Sequence, residues 1–185
     1  MNRKTEFRGF SPDKEDVMTE STESKALDIL KHAILLEKRG KAFYRTAAAQ
    51  STNKDVKAFF ETMAAEEVQH VKILSDQYKV FKATGRFKTP EDQESGTISK
   101  NVLTPEIKSR IAAADFEAAA ISAAMLMEER AIALYAKRGN EAQDAEEKKL
   151  YQWLADWEKE HLEFLADIDA ELKEEVWNDS GFWPM

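Results

Sequence analysis

The chain repeats itself, and that repeat constrains its fold more than any other feature. A shift of 91 residues lays "LMEERAIALY" (126–135) on "LLEKRGKAFY" (35–44), and "LADWEKEHLEFL" (154–165) on "MAAEEVQHVKIL" (63–74). In this register Glu37 meets Glu128, Tyr44 meets Tyr135, Glu67 meets Glu158 and His70 meets His161. Glu66, next door to Glu67, falls on Trp157, so the register selects Glu67 as the acidic partner of His70. Each copy reads Glu, an interval of 30, then Glu-x-x-His, and two of the three histidines occupy the matched places.

The segments that carry the repeat have helical period. Leu27, Leu30, Ile34, Glu37, Lys41 and Tyr44 recur at steps of three and four, one face of a helix. Ser21, Thr22 and Ser24 offer hydroxyls to cap its start, and "STNKD" at 51–55 breaks it. A second helix is predicted over about 54–83, a third over about 115–138 and a fourth over about 145–175, with a turn at "GNEAQD" (139–144) between the last two. The connection at 84–104, with glycines and prolines, is long enough to run back along the molecule. Strand periodicity is absent from the sequence. The expected fold is therefore all-α: a four-helix bundle of two antiparallel hairpins joined by a long crossover. Residues 1–22 are expected to be a mobile N-terminal segment, 23–175 the bundle and 176–185 an aromatic tail.

Hairpin geometry gives the repeat chemical meaning. Glu37 and Glu67 each lie 15 residues from Thr52, and Glu128 and Glu158 each lie 15 from Gln143. At ~1.5 Å per residue, both members of each pair stand roughly 22 Å from their turn, at one level. Residues at i and i+3 share a helix face, so each histidine joins its glutamate. Packing the hairpins together then brings four carboxylates and two imidazoles to one depth. Burying four carboxylates without counter-charge would cost several kcal/mol per ion, against a typical total stability of about 5–15 kcal/mol. Two divalent cations would neutralise them, with both histidines neutral. Oxygen-rich, imidazole-supplemented ligation suits iron or manganese, or a mixed pair. A single Glu-x-x-His on a helix is commonly a solvated glutamate beside a surface histidine; six residues in two copies at matched heights are a different matter. His32, whose mate is Ala123, is expected at the surface or rim, and Glu66, Glu129 and Glu160 are expected to point to solvent or to lie just outside the ligands. Trp153 and Trp157 read as packing residues. Tyr44 and Tyr135 read equally as partners of ligand carboxylates, as nearby oxidisable groups, or as core.

Composition removes other classes. With no cysteine there is no disulfide framework, thiolate metal site, iron–sulfur cluster or cysteine nucleophile. A net charge of −8, with both signs mixed along the chain, argues against a nucleic-acid partner. No apolar leader and no membrane-length apolar run is visible, so a cytoplasmic location without membrane contact is expected. The aromatic tail residues Trp177, Phe182 and Trp183 suggest self-association, with a homodimer the simplest form.

At the paired Glu…Glu-x-x-His elements, over about residues 25–175, the chain resembles the rubrerythrin branch of the ferritin-like superfamily; "GFW" in the tail is a weaker likeness to its short members. The resemblance implies a di-iron carboxylate site with Glu37, Glu67, His70, Glu128, Glu158 and His161 as ligands. It also implies reduction of peroxide or dioxygen with electrons from an external donor, such as a rubredoxin-like protein. Two departures stand out. Rubrerythrins commonly carry a C-terminal rubredoxin domain, which this cysteine-free chain cannot build. They also carry an extra glutamate three residues after the third-helix ligand, where this chain has Ala131. Ferroxidase or iron-storage activity, a di-iron hydroxylase, and a metal-free helical interaction module remain the alternatives at this point.

Overall fold

A computed structural model describes residues 14–88 and 115–178, with side chains at 23–88, 116, 118–170, 173 and 174. Four α-helices make up the described chain: α1 (Lys14–Gln50), α2 (Lys54–Thr84), α3 (Asp115–Glu141) and α4 (Ala145–Asn178). The all-α four-helix architecture is as expected. The expected crossover, apart from residues 85–88, lies outside the described residues, as do residues 1–13 and the end of the tail with Phe182 and Trp183. One boundary differs: α1 begins at Lys14, so Ser21, Thr22 and Ser24 lie within the helix and do not cap its start.

The repeat extends to the helix ends. Asn53 caps α2, its side-chain oxygen accepting from the backbone N–H of Asp55 at 2.9 Å and Val56 at 3.4 Å. Its repeat mate Asp144 does the same for α4, accepting from Glu146 at 2.8 Å and Glu147 at 2.9 Å. In both cases the cap satisfies N–H groups that have no partner within the helix. α2 stops at Gly85, whose φ of 66° is the left-handed conformation that glycine enters freely, with its N–H donating to the Phe81 carbonyl at 2.8 Å. Beyond this stop, buried Gln77 holds the Lys88 backbone from both sides, donating to its carbonyl at 2.7 Å and accepting from its N–H at 3.0 Å.

The buried stripe of α1 is Leu30, Ala33, Glu37, Gly40, Tyr44 and Ala47, and that of α3 is its copy: Ile121, Ala124, Glu128, Ala131 and Tyr135. The stripe is rotated slightly from the predicted one. Ile34 and Lys41 sit at its flank, half-buried, and the small residues Ala33 and Gly40 face inward in their place. α2 and α4 match likewise: Phe59, Phe60, Met63, Glu67, His70 and Leu74 are buried on α2, and their repeat mates Leu150, Tyr151, Leu154, Glu158, His161 and Leu165 are buried on α4.

Two apolar clusters fill the bundle. One joins the α1–α2 turn region (Tyr44, Phe59, Phe60) to the beginning of α3 (Ile121) and the later part of α4 (Leu165, Ile168). The other joins the earlier part of α1 (Leu30) and the end of α2 (Leu74, Phe81) to the α3–α4 turn region (Tyr135, Leu150, Tyr151). The hairpins thus turn at opposite ends of the bundle, and α2 ends at the end opposite to the one where α3 begins. Glu37, Glu67, Glu128 and Glu158 belong to neither cluster; they and the two histidines form a polar layer between them.

Candidate metal centre

All six residues singled out by the repeat are buried. Glu37 and Glu67 are 2 % exposed, Glu128 is 3 % exposed, and His70, Glu158 and His161 are fully enclosed. Among the described residues, Gln77 is the one other buried polar or charged side chain that accompanies them. The layer is thus an isolated charged slab in an apolar interior, where unneutralised carboxylates are costly.

The side chains converge into two sets of four. Glu37, Glu67, His70 and Glu158 bring ligand atoms within 4.8 Å of one another, and Glu67, Glu128, Glu158 and His161 do the same. Glu67 and Glu158 belong to both sets; Glu37 with His70, and Glu128 with His161, each belong to one. His70 Nδ1 lies 3.0 Å from Glu158, 3.2 Å from Glu37 and 3.7 Å from Glu67. His161 Nδ1 lies 3.0 Å from Glu158 and 3.8 Å from Glu128. The imidazoles face each other with ring centres 5.6 Å apart. Glu158 therefore sits nearest the centre, within reach of both rings.

Many of these atoms have no hydrogen-bond partner: Glu67 Oε2, His70 Nε2, both carboxylate oxygens of Glu158 and both ring nitrogens of His161. Buried polar atoms are nearly always paired, so a cluster of orphans on carboxylate and imidazole side chains fits a bound cation. The donor set fits too: four carboxylates and two imidazoles match two divalent metals of the iron or manganese type.

Without metal, burial favours protonation of part of this slab. Burial, and then the charge of Glu158, push the carboxyls of Glu37 and Glu128 well above their usual range. Burial also opposes ionisation of Glu158, yet the charge of His70 and the approach of both imidazole Nδ1 atoms to within 3.0 Å outweigh it and hold this carboxyl well below the usual range. Burial opposes the charged form of His70 as well, but the charge of the adjoining Glu158, the bond to Glu37 and the nearness of Glu67 raise its pKa well above the ordinary histidine value. Without metal, the protonated forms of Glu37, Glu128 and His70 and the ionised form of Glu158 are thus the favoured ones. Metal binding must release these protons.

Tyr44 and Tyr135 both meet candidate ligand carboxylates, but not those of their own helices. Tyr44 on α1 donates to Glu128 on α3, and Tyr135 on α3 donates to Glu37 on α1. A residue seven positions along stands about 10 Å from its own helix's glutamate, whereas the antiparallel helix brings the opposite one level with it. Burial, and then the charge of Glu128, raise the Tyr44 hydroxyl well above its usual pKa, so it stays a donor.

The other expectations are placed as follows. His32, Glu129 and Glu160 are exposed. Glu66 is half-buried and accepts from the Trp157 indole N–H at 3.1 Å, so these two repeat mates bond to each other. Trp157 also packs edge-on against His70, with ring centres 4.4 Å apart, and against Trp153 at 4.8 Å. Gly40 was not singled out by the sequence reading, yet it lies against the Glu67 carboxylate. The signal was the break in α1's apolar stripe, which a hydrophobicity pattern registers only as an omission. Among the described residues no helix is long and apolar enough to cross a membrane.

The rubrerythrin family model matches residues 28–168, the span that holds all six ligand candidates and both tyrosines. Neither a curated protein nor a solved structure matches the chain. With the matched span covering most of the chain, and the four-helix bundle and its buried carboxylate–histidine layer in place, the chain belongs to the rubrerythrin family.

Proposed function

We propose that the protein is a non-haem di-metal oxidoreductase that reduces peroxide or dioxygen using electrons from a separate donor. The observation that supports this most is the overlap of two four-ligand sets at Glu67 and Glu158. Glu37 with His70 would hold one metal and Glu128 with His161 the other, with Glu67 and Glu158 shared between them. Iron is the favoured metal, and manganese is compatible with the same donors. Held there, a pair of reduced metals would supply the two electrons that the substrate's O–O bond accepts.

The chain's own groups prepare that chemistry. Four carboxylates offset the charge of two divalent cations. Tyr44 and Tyr135 each fix a glutamate of the opposite hairpin, which ties the hairpins together across the site and limits rotation of those carboxylates. Apolar clusters on both sides restrict water and strengthen the electrostatics between them. Because the chain has no cysteine, it has no thiolate-bound redox centre of its own, and the reading assigns re-reduction to an external donor. Ala131, where relatives are expected to place an additional glutamate, leaves that contribution out. The test is to load the protein with Fe(II) under anaerobic conditions and mix it with peroxide or dioxygen. Stoichiometric consumption of oxidant with new ferric absorbance is expected; an unchanged spectrum and unconsumed oxidant would overturn the reading.

A further inference from the structure

α1 carries a glycine where its sequence could hold a better helix former. Gly40 is buried one turn beyond Glu37, in the middle of a 37-residue helix. Apart from proline, glycine is the least favourable residue for a helix interior. Backbone freedom does not explain it, since the one positive-φ glycine among the described residues is Gly85.

Space explains it. A Cβ built at position 40 would stand 3.0 Å from both the carboxyl carbon and Oε1 of Glu67, and 3.3 Å from Oε2. A side chain of any kind would push that carboxylate aside by a few tenths of an ångström. Metal–ligand distances tolerate about ±0.2 Å, so this displacement is large enough to matter. Glu67 is also one of the two carboxylates common to both ligand sets, so moving it disturbs both.

The second half of the repeat is built differently. Gly40's mate is Ala131, also buried, and the glutamate on the facing helix there is Glu158. Glu158 is held by both imidazoles at 3.0 Å, whereas Glu67 approaches only His70, at 3.7 Å. One shared carboxylate is thus centred by histidines, and the other lies in the gap left by a missing methyl group.

We infer that Gly40 is a positioning residue that seats the Glu67 carboxylate between the two metal positions, and that the Gly40–Ala131 difference makes the two shared carboxylates inequivalent. This rests on the di-metal reading. Gly40 touches neither metal nor substrate; it acts through Glu67.

The experiment compares the wild type, Gly40→Ala, Ala131→Gly, Glu67→Asp and the double variant Gly40→Ala with Glu67→Asp. Each is titrated anaerobically with Co(II) and with Fe(II), with metal content and affinity measured, and the thermal midpoint of each metal-free form is recorded. Gly40→Ala is expected to raise the metal-free midpoint, because alanine favours the helix. It should at the same time weaken metal binding by about tenfold or more, as the loss of a supporting group typically does. Ala131→Gly should lower the metal-free midpoint while changing affinity less than about threefold, well under that typical supporting-group loss. With Glu67 shortened to aspartate, the carboxylate is drawn away from position 40, and Gly40→Ala should cost less than about twofold, since the two changes are coupled. Wild-type affinity in Gly40→Ala would overturn the inference, and so would an equal loss in the Glu67→Asp background. A wild type that binds neither metal would instead overturn the di-metal reading itself.

Discussion

Hairpin α1–α2 and hairpin α3–α4 follow one repeat, and the matched positions around the buried carboxylates show what their differences do. Glu66 and Trp157 occupy one repeat position and bond across the bundle. Two glutamates meeting there would repel, and two indoles would leave both N–H donors without an acceptor. A position that meets its own mate therefore works best when the mates differ. His70 and His161 also face each other, but they remain identical. Two neutral imidazoles can each ligate a metal, so sameness carries no penalty there once cations are present. Gly40 against Ala131 is the third contrast, and it separates the environments of the two shared carboxylates.

The largest expected effect comes from separating shared ligands from terminal ones. Glu158→Ala should abolish stable binding of both metals, a loss beyond the about 10–100-fold typical for an outer supporting group. Glu37→Ala should leave one metal per chain in the Glu128–His161 half. Elemental analysis after gel filtration distinguishes the two, and equal metal content in both variants would break the assignment of shared and terminal roles.

Next are the crossed tyrosines. Tyr44→Phe and Tyr135→Phe each strip a donor from a buried carboxyl of the opposite hairpin, which should cost the metal-free protein about 1–3 kcal/mol in chemical denaturation. Because the bonds are exchanged between hairpins, the two losses should be similar in size. A near-zero cost for either one would show that its hairpin is held in register by packing alone.

Such a cross-link marks the limit of what the sequence disclosed. The 91-residue register was enough to choose Glu67 over Glu66, to name the six converging residues and to set them at one level, because helical rise and turn position are local properties. Tyr44 and Tyr135 were recognisable as matched but not as exchanged, since which helix stands opposite depends on tertiary packing. Gly40 escaped because an apolar-stripe reading favours Ile34 and Lys41 over small residues, while close packing turns Ala33 and Gly40 inward. The start of α1 was misplaced because Ser21, Thr22 and Ser24 are good caps that the helix simply runs through. The bond between Glu66 and Trp157 was legible in principle: they are register mates, and a repeat with twofold character must bring some mates together.

pH offers a third comparison, between the metal-free and loaded forms. Glu37 and Glu128 have folded pKa values raised above their usual 4.5, and His70 is raised above 6.5. Their contribution to stability is complete below those usual values and is lost as pH rises through the raised ones. The metal-free protein should therefore lose stability as pH climbs above 4.5, by at most about 1.4 kcal/mol per pH unit for each proton involved. Glu158 acts in the opposite sense, its lowered pKa withdrawing stability only as pH falls below 4.5. The loaded protein should lack the alkaline decline, because metals take the place of the protons. Parallel thermal melts across pH check this, and identical profiles for the two forms would contradict it.

The smallest effect tests the bystander. Trp157→Phe removes the bond to Glu66 and should cost about 1 kcal/mol, with metal content unchanged. Glu66→Gln keeps an acceptor for the indole and should be close to neutral. Loss of metal in Glu66→Gln would return Glu66 to the ligand set and undo the choice made by the repeat.

The central claim is that four glutamates and two histidines hold two metals between the hairpins, with Glu67 and Glu158 common to both. Anaerobic reconstitution with iron-57, followed by oxidation and Mössbauer spectroscopy in an applied field, tests it most directly. Two irons per chain forming one spin-coupled, diamagnetic pair is the predicted result. One iron per chain, or two that behave as independent paramagnetic centres, would contradict it.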